Sequence, residues 1–392
     1  MPNANNLPTP HRTLTRQLCG VMWVVLFGFG TFFLNYATLV PVGEGMGLTT
    51  VTAGSILTIM MVAVVGVQPV ASILNSRFGP RHALGIALIL QGISNIVGLV
   101  DGSPIAVLLT ASIIGGLGFG VLVVSGTAVV PSTVVPSRLG RALGYFGATT
   151  AGATALGAPT GLWLIEVIPP VGLRWVGCVL IVVALPALLL IPKTQRSLES
   201  SASEYSTENT GNLTGRRFSG LVIVLLPVAI AMTAFGLILA FGPLDNKTSA
   251  AEFIVTMQVL AIIGRFLASS ALDHRTGKSV MVGAIILALI GLASTALLSG
   301  GLELYLAMVV LGFGIGSIQA ASLVLCFEQA GNANHGSVAW NMTFDIGLGF
   351  AGLVGGFGFT YWGAAATYGV CATALLLTGM LFVMYFRGQR RV

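Results

Sequence analysis

Residues Gly336–Trp362 read GSVAWNMTFDIGLGFAGLVGGFGFTYW, and in these 27 residues Asp345 is the single charged side chain. An apolar run of about 20 residues is long enough to cross a bilayer as a helix. A charge at the bilayer centre costs at least ~2.5–3.5 kcal/mol, so Asp345 must face protein or water, or carry a proton. Asn341 lies one turn earlier, and Gly349, Gly352 and Gly356 continue the same helical face. Small residues on that face let a neighbouring helix approach closely. At ~1.5 Å rise per residue, Asp345 sits roughly 13 Å from Gly336, near mid-membrane. It is either an acid satisfied by Asn341 or a neighbour, or a proton or substrate site. The second is the default for an ionisable residue at this depth.

The whole chain agrees with this stretch. Of its 392 residues, 55% are hydrophobic and 8% charged, and the mean hydropathy is +0.94. Soluble domains carry about 25% charged residues. The composition is that of an all-α membrane protein, because the apolar runs have helical rather than short alternating β length. The net charge of +6 comes from bases scattered over short loops, a pattern that offers no nucleic-acid patch. Cys19, Cys178, Cys326 and Cys371 lie in apolar runs without paired spacing, so neither a disulfide framework nor a metal site is expected.

Apolar segments occupy about 18–41, 50–74, 82–100, 104–130, 140–166, 172–191, 217–243, 249–272, 279–299, 302–327, 336–360 and 364–386. They predict twelve transmembrane helices in two six-helix bundles, 1–192 with a polar N-terminal tail and 218–392 with a short C-terminal tail. Residues 193–217, rich in Ser, Thr, Glu and Asn, form the expected linker. With both termini cytoplasmic, sixteen bases fall inside, Arg265 among them, and only Arg174 and Lys247 outside. The positive-inside rule favours that orientation. Trp163, Trp175, Tyr361 and Trp362 then gather at the outer interface, as an aromatic belt.

The two halves resemble each other. A shift of 198 residues pairs Gly66 with Gly264, Asn75 with Asp273, Arg77 with Arg275, Gly79 with Gly277 and Gly116 with Gly314. Repeated helical halves with a site between them near the midplane are a transporter signature. Residues Ser72-Ile-Leu-Asn75-Ser76-Arg77-Phe-Gly79-Pro-Arg81 resemble the loop after the second helix of the major facilitator superfamily, written G-x-x-x-D-R-x-G-R-R. Ser72 and Ser76 replace its first glycine and its aspartate. The second-half turn, Asp273-His-Arg275-Thr-Gly277-Lys278, keeps an acid. The resemblance covers nearly the whole chain. It implies that Asn75, Arg77, Gly79, Arg81, Asp273, Arg275 and Gly277 form cytoplasmic latches that engage in the outward-facing state. Gly157-Ala158-Pro159-Thr160-Gly161 is similar to the glycine–proline motif in the fifth helix of the family's exporters, with Ala158 inserted between Gly157 and Pro159. Pro159 removes one backbone hydrogen bond, and Gly157 and Gly161 are expected to pack tightly between the halves. The basic residue that the family often carries in its fourth helix is missing, since Ile105–Val130 holds no charge. Asp345 is left as the acid available in the core.

Other motifs carry less. Gly116-Leu-Gly118-Phe-Gly120 and Gly312-Phe-Gly314-Ile-Gly316 lack the strand and downstream acid of a dinucleotide fingerprint, and read as helix-packing glycines. There is no G-x-x-x-x-G-K-[ST] run for ATP-driven pumping. His11, His82, His274 and His335 lie at or beyond cytoplasmic helix ends, away from any intramembrane general base role. No enzyme activity and no cofactor is expected.

The polar side chains of the cavity-forming helices are Asn35, Tyr36, Thr38, Thr149, Thr150, Gln258, Gln319, Asn341 and Asp345. They predict a mostly apolar pocket with a few amides and one acid, suited to a neutral, zwitterionic or cationic solute, with no base facing inward. The reading is a monomeric secondary transporter of the bacterial inner membrane, exporting a small organic compound in exchange for protons coupled through Asp345 and Asn341. An uptake symporter or facilitator on the same fold, or a receptor that has lost transport, are the alternatives. Cysteines introduced as Ser203→Cys and Thr248→Cys are expected to react with an impermeant thiol reagent from opposite sides of the membrane. Labelling from the same side would overturn the twelve-helix topology.

Overall fold

A computed structural model describes residues 14–135, 138–191, 215–245, 250–298, 301–330 and 333–388. Most of the expected linker, 193–214, lies outside them, as do His11, Lys247, Ser203 and Thr248. The described residues form twelve α-helices and no strand. They are α1 (Arg16–Gly45), α2 (Thr50–Phe78), α3 (Pro80–Val97), α4 (Pro104–Val129), α5 (Leu139–Val167) and α6 (Pro170–Ala184). The second set is α7 (Gly215–Asp245), α8 (Ala250–Leu272), α9 (Gly277–Leu297), α10 (Gly301–Ala330), α11 (Ala333–Tyr361) and α12 (Gly363–Gly388). Short 3₁₀ turns, Val130–Thr133 and Leu185–Leu190, extend α4 and α6, each with a proline at its start.

Helix ends follow local chemistry. Thr15, Thr49 and Thr276 accept hydrogen bonds from the backbone of Leu18, Thr52 and Ser279, capping α1, α2 and α9. Pro80, Pro104 and Pro170 open α3, α4 and α6, where the missing N–H has no helical partner to lose. The α2–α3 turn is a single residue, Gly79, at φ +81°, a conformation that a side chain would strain.

Among the described residues, ten helices are long and apolar enough to cross a membrane. The other two are α3, which carries Arg81, His82, Gln91, Ser94 and Asn95, and α5, which carries Arg141, Glu166 and several threonines. Helices satisfy their own backbone groups, the condition for crossing lipid. Chain direction alternates, so Arg16, Arg77, Arg81, Arg141, Arg275, Lys278 and Arg387 share one basic end. Contacts along that end tie it together: Thr15 Oγ1 donates to Thr133 O at 2.9 Å, and Lys278 Nζ lies 4.4 Å from the Phe386 ring centre.

The packing has an internal repeat. In the first six helices α1 packs on α5 and α6, α4 on α2 and α3, and α3 on α6. Adding six to every number gives the contacts of the last six. The two sets meet through α2 on α11, α5 on α8 and α1 on α7; the same operation exchanges the first two pairs and returns the third to itself. Glycines set the close approaches within each set. A Cβ on Gly316 of α10 would lie 1.8 Å from Ala261 O on α8, and one on Gly116 of α4 would lie 2.3 Å from Met60 O on α2. The glycines read as dinucleotide decoys are therefore packing residues.

Gly316→Ala is expected to lower the thermal midpoint of the purified protein, since overpacking of this kind costs about 1–3 kcal/mol. Gly283→Ala, whose Cβ would meet nothing within 4 Å, should leave it unchanged or slightly raised. Equal responses would contradict the packing of α8 on α10.

Candidate functional site: a cavity floored by Asp345

A cavity of about 330 Å³ lies among α1, α4, α5, α7, α8, α10 and α11. Helical periodicity decides which side chains reach it. From α11 come Ser337, Trp340, Asn341, Phe344 and Asp345, and from α8 come Gln258, Ala261, Ile262 and Arg265. The lining of α5 runs Leu143, Phe146, Gly147, Thr150, Ala151 and Thr154. Each set follows the i, i+3, i+4, i+7 spacing of one helix face. Most of these positions lie in the basic-end halves of their helices.

The opposite end is closed by contacts between the two sets of helices. A Cβ on Gly54 of α2 would lie 2.3 Å from Gly352 O of α11, and one on Gly352 would lie 2.3 Å from Gly54 O. Thr58 Oγ1 donates to Gly349 O at 2.8 Å. Tyr36, fully buried, donates from its hydroxyl to Leu348 O at 2.9 Å. The cavity is thus floored near mid-helix and belongs to the basic end.

Asp345 is 5% exposed, and its Oδ2 accepts a hydrogen bond from Gln68 Nε2 of α2 at 2.6 Å. The bond crosses between the two sets of helices. Arg265 lines the same cavity, its guanidinium carbon 5.9 Å from the centre of the Trp340 ring. The walls are aromatic, with Phe29, Phe33, Phe119, Phe146, Phe235, Phe327 and Phe344 beside Trp340. Trp340 Nε1 donates to Ser322 Oγ at 2.9 Å, which fixes its ring.

Of the residues expected to meet here, Thr150, Gln258, Gln319, Asn341 and Asp345 line the cavity. Asn341 does not hold Asp345; its Nδ2 donates to Ser337 O of its own helix at 2.9 Å. Thr149 is off the lining and bonds back to Tyr145 O. Tyr36 belongs to the closed end, and Thr38 turns its hydroxyl to Leu34 O at 2.7 Å. Asn35 lines a separate small cavity with Arg174. Gly157 and Gly161 meet α1, at Gly30 and Leu34, rather than the other set of helices. The Pro159 and Trp163 face of α5 looks towards Glu252 and Val255 of α8.

The latch turns also have definite surroundings. Asn75 is buried, and neither polar atom of its side chain finds a partner among the described residues. Arg77, Asp273 and Arg275 are exposed, Arg81 is half-buried, and Gly277 packs against Leu325. Two bases depart from the expected distribution. Arg265 lies two turns inside the end of α8, so a base does face the cavity, and Arg174 is buried in the second turn of α6. Gln68, Arg265 and the aromatic wall were the cavity features that the sequence left unseen. The one available signal was a lone amide beside Pro69 in the apolar run of α2.

A sequence profile of the Major Facilitator Superfamily matches residues 21–339. The chain belongs to this superfamily. It is similar to the uncharacterized MFS-type transporter YhhS of Escherichia coli K12, 25% identical over 388 residues and 92% of each chain. It is 22% identical to the quinolone resistance protein NorA of Staphylococcus aureus over 218 residues, 55% of this chain and 56% of NorA. Among solved structures it resembles a POT family transporter in complex with a thioalcohol-conjugated peptide, with a TM-score of 0.78 and 11% identity over 95% of this chain and 96% of that one. A POT family transporter bound to 5-aminolevulinic acid gives a TM-score of 0.75, with 11% identity over 94% and 96% of the two chains. At these identities the structural likeness concerns the fold. The chain is an MFS-type membrane transporter.

Removing the donor to a buried carboxylate leaves it unsatisfied, so Gln68→Leu is expected to destabilise the protein by about 1.5–3 kcal/mol. Asp345→Leu in the same chain should recover most of that loss, because the pair is then replaced by apolar groups. Thermal unfolding of the two single variants and the double variant measures the coupling. Additive losses would mean that the Gln68–Asp345 bond is not formed in solution.

Proposed function

We propose that this transporter exports a small amphipathic organic solute in exchange for protons, by alternating access between two six-helix bundles, 1–192 and 218–392, joined by the 193–217 linker. All twelve helices span the bacterial inner membrane in this reading. Its basic end, and both termini, face the cytoplasm under the positive-inside rule, and the protein acts as a monomer. The cavity then loads from the cytoplasm, the side from which an exporter takes its cargo. The exposed latch residues Arg77, Asp273 and Arg275 suit this state, since the family's latches engage when the cytoplasmic side is closed.

The observation that carries the reading is Asp345. It is the one acid lining the cavity among the described residues, and it is bonded to Gln68 across the joint between α2 and α11. As a carboxylate it accepts the Gln68 bond. Protonated, it loses the charge that strengthens that bond, so gain or loss of one proton biases the joint. Rocking about a fixed midplane site does the rest.

The solute class follows from the walls. Aromatic side chains surround most of the cavity, Arg265 offers a cation near the mouth, and Asp345 offers an anion at the floor. Trp340 and Asp345 are five residues apart, about 7.5 Å along the helix axis. A solute of drug size with an apolar body and a charged group at one or both ends fits this arrangement, and the volume lies within the usual 300–1,000 Å³ of such sites. The name of NorA, a quinolone resistance protein, supports export of a compound of this kind.

Asp345→Asn is expected to abolish flux driven by a pH gradient in proteoliposomes, while the protein folds and retains some downhill exchange. Asn341→Ala should slow flux without uncoupling it. If Asp345→Asn alters only thermal stability and leaves proton-driven flux at the wild-type level, proton coupling through this residue is wrong.

A further inference from the structure

A second, smaller cavity lies outside the solute cavity, among α1, α2, α3, α4 and α6. It measures about 20 Å³, against the ~10–15 Å³ that one water requires. Its polar lining is Asn35, Gln91, Ser94, Asn95, Ser112 and Arg174. Phe32 lines it too and stacks on Phe119, which lines the solute cavity, with ring centres 3.6 Å apart. One aromatic pair therefore separates the two.

The charge of this cavity is one-sided. Arg174 is 9% exposed, and its Nη1 donates to Asn35 Oδ1 at 2.6 Å. Among the described residues no carboxylate contributes to the lining. The arginine stem also rests on the end of α3, where a Cβ on Gly98 would lie 2.6 Å from Nε. The C-terminal dipole of α3 offsets part of the positive charge but does not neutralise it. A buried cation whose hydrogen-bond partner among the described residues is one neutral amide carries most of its desolvation penalty.

The polar neighbours are largely committed to one another. Asn35 Nδ2 donates to Thr31 O and to Asn95 Oδ1, Asn95 Nδ2 to Gln91 O, and Ser94 Oγ to Ala111 O. Gly177 makes room for Asn95, since a Cβ there would lie 2.3 Å from Asn95 Oδ1. Gln91 is the exception. It is 2% exposed, and neither polar atom of its side chain finds a partner among the described residues. Buried amides are rarely left in this condition. The uncommitted amide and the guanidinium meet in one water-sized space.

We propose that this cavity binds one small monovalent inorganic anion of halide size, held by the Arg174 guanidinium and the Gln91 amide with the Ser112 hydroxyl as a further donor. An anion supplies both the missing partner of Gln91 and the missing countercharge of Arg174. A water supplies only the first. A cation is excluded by Arg174, and an organic anion by the volume. The site is independent of the transport reading, because it shares no lining residue with the solute cavity.

The test is thermal unfolding of the purified full chain at constant ionic strength, with chloride or bromide replaced stepwise by gluconate. Chloride and bromide are expected to raise the midpoint saturably. Gln91→Leu should require at least about tenfold more halide for the same shift, the loss of roughly one hydrogen bond to an ion, and Arg174→Gln should abolish the shift. If Arg174→Gln does not fold, Gln91→Leu and Ser112→Ala carry the comparison. Superimposable halide and gluconate curves would mean a water-filled cavity and overturn the proposal. So would a wild-type halide response in Gln91→Leu.

Discussion

One hydrogen bond sets the terms for the rest of this molecule, the 2.6 Å contact from Gln68 to Asp345. In a medium of low dielectric constant a carboxylate with a single neutral donor is under-provided, since it can accept several bonds. Two features follow from meeting even that minimum. The backbones of α2 and α11 must come close enough for a glutamine to span them, which the reciprocal contact of Gly54 with Gly352 allows. The acid must also retain access to a polar space for its remaining lone pairs, and the cavity provides it. The same joint therefore holds the halves together at one end and carries a titratable group at the floor of the other.

The part of this arrangement legible in the sequence was the part expressed in periodicity and composition. Apolar run length located each of the twelve helices among the described residues, and the isolation of Asp345 in its run marked it as the residue requiring an explanation. The glycine face of α11 was readable for the same reason, because spacing alone puts Gly349, Gly352 and Gly356 on one side. What periodicity does not encode is the partner on another helix. Gln68 sits in α2 among valines and beside Pro69, where nothing local distinguishes an amide that crosses to α11 from one that packs in place. Tyr36 and Thr38 were misplaced by the same gap. Their hydroxyls bond to backbone carbonyls, one across to Leu348 and one within α1, and a polar atom satisfied in that way need not face a cavity.

The two arginines illustrate a different limit. Counting bases by the side of the membrane they lie nearest says nothing of whether they face a loop or a cavity. Arg265 already fell within the expected 249–272 segment, and α8 does end at Leu272, seven residues beyond it, so a residue counted with the cytoplasmic bases stands inside the cavity, where Trp340 offers its ring face. Arg174 is buried because α6 starts at Pro170 and turns it inward within its second turn. The expected orientation does not depend on these two residues, since it rests on many. The expectation of a cavity without a base does not survive, because it rested on one.

The repeat relating the two sets of helices makes the position of the acid more informative. The 198-residue register maps Asp345 onto Gly147 and Gln68 onto Phe266. The second joint, α5 on α8, is the counterpart of α2 on α11, yet it can hold no equivalent hydrogen bond. Gly147 does line the cavity, opposite in kind to Asp345 though matched to it in register. The packing repeat is thus kept in both joints, while the acid that lines the cavity among the described residues sits in only one of them. A carrier with an acid in both joints would have to titrate two interacting groups in each cycle. Under the proposed exchange with protons, one acid leaves a single protonation event to bias a single joint.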